Sequence, residues 1–229
     1  MKGTLYICAT PIGNLDDASP RLIETLSKSK LILAEDTRRT QKLLAHFNLH
    51  IPMESFFAHN ERVKTDQVIF TLETSGNVSL VSDAGVPTIA DPGRYLVEQV
   101  AGKGITVIPI PGPSAVLTAL SVSGFFTQTF TFRNFLPRKI GALKKALTEI
   151  ADQGRTTIVL ESPHRLPKLL SAMVDIIPTC RVLVAREMTK VHEEYLRGSP
   201  KQVLDSIQGR SIKGEITVVI GFTDTTFDD

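Results

Sequence analysis

The sequence predicts an α/β fold in which mostly parallel strands are covered by helices. Two observations carry this. Short runs rich in β-branched and apolar residues alternate with stretches of helical spacing, and Gly/Pro turns close several runs where strands would end. The first strand, 4–10 (Thr-Leu-Tyr-Ile-Cys-Ala-Thr), runs into Pro11. Ser19-Pro20 then starts a helix with a hydroxyl cap ahead of a proline at the first helical position. The second strand, 31–35, runs into Glu35-Asp36-Thr37-Arg38-Arg39-Thr40, where Asp36 or Thr37 caps a helix through Leu43-Leu44. Strands at 78–82 and 105–109 follow, and Asp91-Pro92 between them offers a carboxylate cap for another helix start. Further strands are expected at 129–133, 156–161, 181–186, 193–197 and 215–222, with Ser199-Pro200 repeating the capped-proline start. The last three are close in sequence, which suggests antiparallel pairing. The change in character places a boundary near 115–125 and predicts two α/β domains, 1–115 and 116–229, within the 229 residues.

Composition narrows the class. Hydrophobic residues at 42% and charged residues at 22% are ordinary globular usage, which excludes whole-chain disorder, collagen and coiled coil. The most apolar stretch, 105–120, is interrupted by Pro109, Pro111, Gly112 and Pro113, so no membrane span is expected. The N-terminal Met-Lys-Gly-Thr-Leu-Tyr-Ile-Cys lacks a long apolar region with a cleavage site, and Cys8 and Cys180 each sit in an apolar run as buried thiols. A cytoplasmic protein is expected. Residues 133–168 hold eight Lys/Arg against three Asp/Glu, which suits either a solvated helix face or a phosphate-binding patch.

The familiar chemical motifs are missing: no G-x-G-x-x-G, P-loop, H-E-x-x-H or C-x-x-C occurs, and the five histidines lack metal-ligand spacing. No metal is expected. Instead, turns stand at strand ends: Thr10-Pro11-Ile12-Gly13-Asn14, Ser82-Asp83-Ala84-Gly85-Val86-Pro87 and Pro109 to Ala115, while Lys213-Gly214-Glu215 enters the last strand. One such turn is ordinary; four argue for a backbone-lined pocket of the kind open α/β sheets use for ligands. Apart from Lys213 these turns carry no cation, which favours a cationic, phosphate-free cofactor with an adenosine and an amino-acid end. A second, polar group comprises the Glu35 to Thr40 block, readable as a cap or as an anion holder, and the His59-Asn60-Glu61 loop. Phe132 to Lys139 interleaves aromatic and basic residues, a weak nucleic-acid signal.

These segments together resemble one family. Ala9-Thr10-Pro11-Ile12-Gly13-Asn14-Leu15, Glu35-Asp36-Thr37-Arg38-Arg39-Thr40, Ser82-Asp83-Ala84-Gly85-Val86-Pro87 with Asp91-Pro92-Gly93, Pro111-Gly112-Pro113-Ser114, Phe135-Leu136-Pro137-Arg138-Lys139, Glu161-Ser162-Pro163-His164-Arg165, Arg186-Glu187-Met188-Thr189-Lys190 and Lys213-Gly214-Glu215 are similar, in order, to the bacterial small-subunit ribosomal RNA 2′-O-methyltransferases of the tetrapyrrole methylase superfamily. The resemblance implies a homodimer of two-domain subunits that bind S-adenosyl-L-methionine in a cleft and methylate a cytidine ribose of 16S ribosomal RNA. It also implies that Pro11, Asp83, Ala84, Pro111, Gly112 and Ser114 line the cofactor from the first domain. Phe135, Leu136, Ser162, Gly214, Glu215 and Ile216 would do so from the second, which also presents a basic RNA-facing surface.

Attack by a ribose hydroxyl needs a proton acceptor, for which Asp36, His59, Glu61 and Asp83 are candidates and His59 or Asp36 are preferred. Arg38, Arg39, Arg138 and Lys139 are assigned to RNA phosphates. The chain departs from the family where Ser-Tyr-His-Glu-His-Asn is usual and Ser55-Phe56-Phe57-Ala58-His59-Asn60 stands. It departs again at Asn134, where a glycine is usual, and at Leu160, where an aromatic residue is. Two other functions stay open: a corrin or porphyrin methyltransferase, and a non-catalytic ribosome-assembly factor.

Overall fold

In a computed structural model, which describes residues 2–74 and 76–222, the strands group into two separate sheets. The chain divides into two units, the first ending at Ser114 and the second beginning at Ala115. Residues 223–229, part of the expected second domain, lie outside the described residues.

The first unit runs β1 (Leu5–Cys8), α1 (Pro20–Ser27), β2 (Leu31–Ala34), α2 (Thr37–His46), β3 (Met53–Ser55), α3 (Glu61–Glu73), β4 (Val78–Val81), α4 (Arg94–Gly102) and β5 (Val107–Ile110). The sheet order is β3-β2-β4-β1-β5 and every pair is parallel, so all five C-terminal ends share one edge. β2 shows why these runs are apolar throughout. Leu31 and Leu33 pack with Val68 and Leu72 of α3 and with Leu96 of α4. Ile32 and Ala34 face Leu22 and Leu26 of α1 and Leu43 and Leu44 of α2. A parallel strand between two helical layers has no solvent face, and each large side chain buried this way contributes about 1.5–3 kcal/mol. β3 was not expected, because Met53-Glu54-Ser55 has no β-branched residue. It exists because backbone bonds on either side hold it to β2, from Ile32 N–H to the Pro52 carbonyl (2.9 Å) and from Phe56 N–H to the Ala34 carbonyl (2.8 Å).

The second unit runs α5 (Ala115–Ser121), β6 (Phe130–Phe135), α6 (Ile140–Gln153), β7 (Thr156–Glu161), α7 (Leu166–Ile176), β8 (Arg181–Arg186), β9 (Glu194–Gly198), α8 (Pro200–Ser206) and β10 (Ile216–Gly221). Its order is β6-β7-β10-β8-β9, with only β6–β7 parallel. The mostly parallel expectation thus holds for the first sheet and not for this one. β9 folds back on β8, and β10 enters between β7 and β8 in the opposite direction. One face of this sheet packs Val159, Val184 and Val218 against Leu143 and Leu147 of α6 and Leu169 and Leu170 of α7.

Cys8 and Cys180 are buried and unbridged, and burial pushes both thiols up to about 12. The two Ser-Pro starts hold: Ser19 Oγ accepts from Leu22 N–H (3.1 Å), and Ser199 forms a capping box with Gln202. Asp91-Pro92 does not start a helix. α4 begins at Arg94 behind Gly93, whose φ of +125° favours glycine and where a Cβ would meet Leu80 Cδ2 at 2.5 Å. The cap comes from α3: Glu61 Oε1 accepts from the N–H groups of Gly93 (3.0 Å), Tyr95 (3.0 Å) and Leu96 (3.3 Å). One carboxylate oxygen thereby satisfies donors that a helix start leaves open.

Candidate functional site

At the shared edge of the first sheet, the turns after neighbouring strands β1, β4 and β5 are tied together through the backbone. Thr10 N–H donates to the Gly85 carbonyl (2.9 Å) and Gly85 N–H returns a bond to Thr10 (3.1 Å). Gly85 holds this bridge at a φ of +83°, where a side chain would be strained. A Cβ at Gly112 would sit 3.1 Å from Ala9 Cβ and 3.2 Å from Ala9 O, so the turn after β5 lies against the end of β1. Pro11, Asp83, Ala84, Pro111, Gly112 and Ser114 are thus brought to adjacent strand ends.

Beside them lies the polar block. Asp83 accepts from Asp36 N–H through Oδ1 (2.9 Å) and faces Arg39 Nε through Oδ2 (3.5 Å). Asp36 caps α2 by accepting from Arg38 N–H (2.9 Å) and takes a two-point bond from the Arg38 guanidinium, at 3.0 Å to Nε and 2.7 Å to Nη2. That guanidinium, with the backbone bond, holds the Asp36 carboxyl down at about 2. A small cavity of about 70 Å³ opens among Thr10, Pro11, Arg39, Thr40, Ser82 and Asp83.

The turn after β3 presents His59. Asn60 locks it, accepting from Phe57 N–H (2.8 Å) and donating to the Ser55 carbonyl (3.0 Å). Phe56 is fully buried beneath, while Phe57 and His59 are exposed with their rings edge-on, 6.5 Å between centroids. Since β3 pairs with β2, this turn neighbours the Asp36 to Arg39 block.

Two carboxyls at this edge that the sequence offers only as a helix cap, Asp91, and as part of the polar block, Glu35, are raised by the fold. Burial raises the Asp91 carboxyl to about 6, helped by the charges of Glu35 and Asp83 and opposed by a hydrogen bond to Ser82. Burial, then the charge of Asp83, also raises Glu35. Asp91 follows Ala90 and Thr88, at φ of +71° and +72°, and Thr88 is β-branched, so this loop stores backbone strain. A carboxyl raised on folding means that the native state holds its proton to higher pH than the unfolded chain does. Stability is therefore lost as pH rises from about 4 to about 6 and stays reduced above. For a part-exposed group the loss is about 1–2 kcal/mol after solvent screening. Asp91→Asn is expected to stabilise the protein by that amount at pH 7 and by nothing measurable at pH 4; equal effects at both pH values in urea titrations would contradict it.

In the second unit, antiparallel β10 brings its first residue level with the ends of its neighbours. Ile216 pairs with Glu161 of β7 and with Arg186 of β8, while Phe135 of β6 pairs with Leu160. Phe135, Leu136, Ser162, Gly214, Glu215 and Ile216 therefore share one edge of that sheet. Glu161 anchors it: buried, it meets Arg165 Nε at 3.2 Å and accepts from Ser162 N–H (2.7 Å), and Arg165 Nη2 donates to the Leu136 carbonyl (2.6 Å). Gly214, at φ +92°, leaves room for Glu187, whose Cδ would lie 2.3 Å from a Cβ there. Glu187 Oε1 accepts from Glu215 N–H (2.8 Å), and Lys190 joins Glu187 (2.8 Å) to Glu215 (3.0 Å).

Asn134 sits in the β6 bulge at φ +52°, with its Oδ1 buried and unpartnered. The bulge needs a left-handed residue, so the glycine usual in the family would fit with less strain. Arg138 and Lys139 lie in the loop before α6, where Lys168 Nζ donates to the Arg138 carbonyl (2.7 Å). Among the described residues no group of three His, Cys, Asp or Glu is placed to hold a metal, and no helix is long and apolar enough to cross a membrane.

Two α/β units with glycine-closed turns at strand ends define a ligand-binding protein of the open-sheet class. Residues 4–203 match the model of the tetrapyrrole (corrin/porphyrin) methylases, and the chain belongs to that family. A Halalkalibacterium halodurans protein named ribosomal RNA small subunit methyltransferase I is 44% identical over 219 residues, covering 96% of this chain and 76% of that protein. Among solved structures, the methyltransferase CobJ aligns with a TM-score of 0.71 at 16% identity, covering 96% of this chain and 95% of that one. Thermus thermophilus uroporphyrin-III C-methyltransferase, complexed with S-adenosylhomocysteine, aligns with a TM-score of 0.64 at 13% identity, covering 96% and 97%. At these identities the two structures speak to the fold.

Proposed function

We propose that the protein is an S-adenosylmethionine-dependent methyltransferase that methylates small-subunit ribosomal RNA, and that its target is the 2′-hydroxyl of a cytidine in 16S RNA. It acts in the cytoplasm as a homodimer. The observation that carries the reading is the set of backbone turns at the ends of β1, β4 and β5, closed by Gly85 and Gly112 and without Lys or Arg of their own. Such a cradle suits a sulfonium cofactor that bears no phosphate. The relative named for ribosomal RNA methylation and the solved neighbour holding the demethylated cofactor support it.

The residues fit the cofactor's chemistry. Backbone groups around Pro11, Asp83, Ala84, Pro111, Gly112 and Ser114 can read an adenine edge and an amino-acid end, and Asp83 adds a carboxylate. Phe135, Leu136, Ser162, Gly214, Glu215 and Ile216 are assigned to the same ligand from the second unit. The bound cofactor supplies an electrophilic methyl group. The protein's tasks are to align the ribose oxygen with that methyl group, to exclude water and to accept the hydroxyl proton. Arg38, Arg39, Arg138 and Lys139 are assigned to RNA phosphates. His59 is the preferred proton acceptor, since Asp36 is held as a helix cap and salt-bridge partner.

The test is transfer of labelled methyl from S-adenosylmethionine to purified small ribosomal subunits, with the product mapped by resistance to alkaline cleavage. Label at one alkali-resistant linkage is expected. Label taken up by a tetrapyrrole and not by RNA would replace this reading with the corrin or porphyrin one. RNA binding without cofactor binding would favour the assembly factor.

A further inference from the structure

A groove that starts at the strand-end edge, at Phe135 and Leu136, runs along the outer rim of the second unit. β6 is the last strand of its sheet, and α6 lies beside it. Between them is a cavity of about 330 Å³, at the small end of ligand-binding pockets, with Phe135, Leu136, Pro137, Ala142 and Ala146 among its lining. The spacing of α6 explains the shape. Leu143, Leu147 and Ile150 point into the core, while Ala142, Lys145, Ala146 and Glu149 follow at i, i+3, i+4 and i+7 and line the cavity with small side chains and two charged ones. Arg133 Nη2 meets Glu149 at 3.1 Å and closes one end. Lys145 stands exposed on the cavity wall with no carboxylate partner among the described residues, and Arg138 and Lys139, on the adjoining loop, have none either. Phe135 is 54% exposed and shares the wall with Leu136, Pro137, Ala142 and Ala146.

A flat aromatic and small apolar residues beside the unpaired Lys145, with Arg138 and Lys139 on the adjoining loop, match an unstacked nucleobase joined to a polyanionic backbone. An acidic peptide would answer the charge but leave the flat apolar floor unexplained. We infer that the β6–α6 groove holds an unpaired nucleotide of the RNA substrate, with Lys145 at a flanking phosphate and the base against Phe135 and Ala142. The inference rests on the ribosomal RNA reading above and adds a contact surface to it. The groove meets the edge assigned to the cofactor at Phe135 and Leu136, which puts the occupying nucleotide beside the modified position, while Ala142, Lys145 and Glu149 belong to no cofactor assignment.

The experiment compares the wild-type protein with Lys145→Glu and Ala142→Trp, both at exposed positions on α6 where folding can be verified by circular dichroism. Affinity is measured for naked small-subunit ribosomal RNA, for single-stranded polyuridylate, for assembled small subunits and for S-adenosylmethionine. Expected are a loss of at least about fivefold in affinity for both RNAs in each variant, a shallower salt dependence for Lys145→Glu, and unchanged cofactor affinity. Unchanged affinity for both RNAs overturns the groove while leaving methyl transfer, and so the proposed function, intact. An equal loss of cofactor affinity reassigns the groove to the cofactor and overturns it. A loss confined to assembled subunits makes the partner a protein, which also overturns it. Failure of the wild-type protein to bind any RNA overturns the ribosomal RNA reading together with the groove.

Discussion

Arg165→Met is expected to destabilise the second unit by about 3–5 kcal/mol, as breaking a buried ion pair from one side does. Glu161 is only 4% exposed at the end of β7, and burial raises its carboxyl despite the bonds from Ser162 N–H and Arg165. Removing the guanidinium leaves a buried charge without a counter-charge and the Leu136 carbonyl without its 2.6 Å donor. Methionine preserves much of the apolar stem, so packing loss is not the main effect. The double variant Glu161→Gln/Arg165→Met is expected to recover most of the loss, because a neutral amide needs no counter-charge and can still accept from Ser162 N–H. Denaturant unfolding of the full chain, with the two single variants completing the cycle, measures this. A single-variant loss below about 1 kcal/mol, or a double variant no better than Arg165→Met, would show that solvent already serves Glu161. The effect should reach beyond stability, since the pair positions both Leu136 and Ser162 at the edge assigned to the cofactor.

How much of this was legible follows from the range of the interactions. Strands and the two Ser-Pro starts depend on neighbours within a few residues, and the runs around Ile32, Val159 and Val218 declare themselves by composition. β3 escaped because its partners are the backbone of β2, and backbone pairing leaves no mark on Met53-Glu54-Ser55. Asp91 reads as a cap in the sequence, but the real one, Glu61, lies 32 residues before Gly93 and reaches it only once α3 and α4 pack side by side. The antiparallel pairing of the last strands was visible in their spacing. That β10 would enter between β7 and β8, and so bring Gly214 to Ile216 level with Ser162, was not, because strand order is a property of the whole sheet. Turns with glycine and proline were visible as turns. Their mutual bonding, Thr10 to Gly85 and Gly112 against Ala9, belongs to the fold. The raised carboxyls of Asp91 and Glu35 had no sequence signal, since burial and the approach of Asp83 cause them.

His59→Ala is expected to lower kcat for methyl transfer by about 10²-fold or more, the usual contribution of a positioned general base, and to leave S-adenosylmethionine affinity unchanged. A ribose hydroxyl that gains a methyl group must shed its proton, and the first unit offers few groups free to take it. Asp36 is bound twice by Arg38 and held at about 2, so it accepts a proton poorly at neutral pH. Glu61 Oε1 already accepts from three N–H groups at the start of α4. The His59 ring is exposed, stands on a turn that the Asn60 bonds hold to Phe57 and Ser55, and makes no hydrogen bond to the described residues. Phe57 and Ala58 stand where the resembling family has a histidine and a glutamate, so His59 is the imidazole this turn retains. His59→Gln separates position from basicity: it keeps a hydrogen-bonding side chain but cannot carry the proton away, and should be nearly as slow as alanine. Activity within about threefold of wild type in His59→Ala would remove the histidine from the chemistry. The proton would then fall to Asp91, the carboxyl that this edge of the sheet raises to about 6.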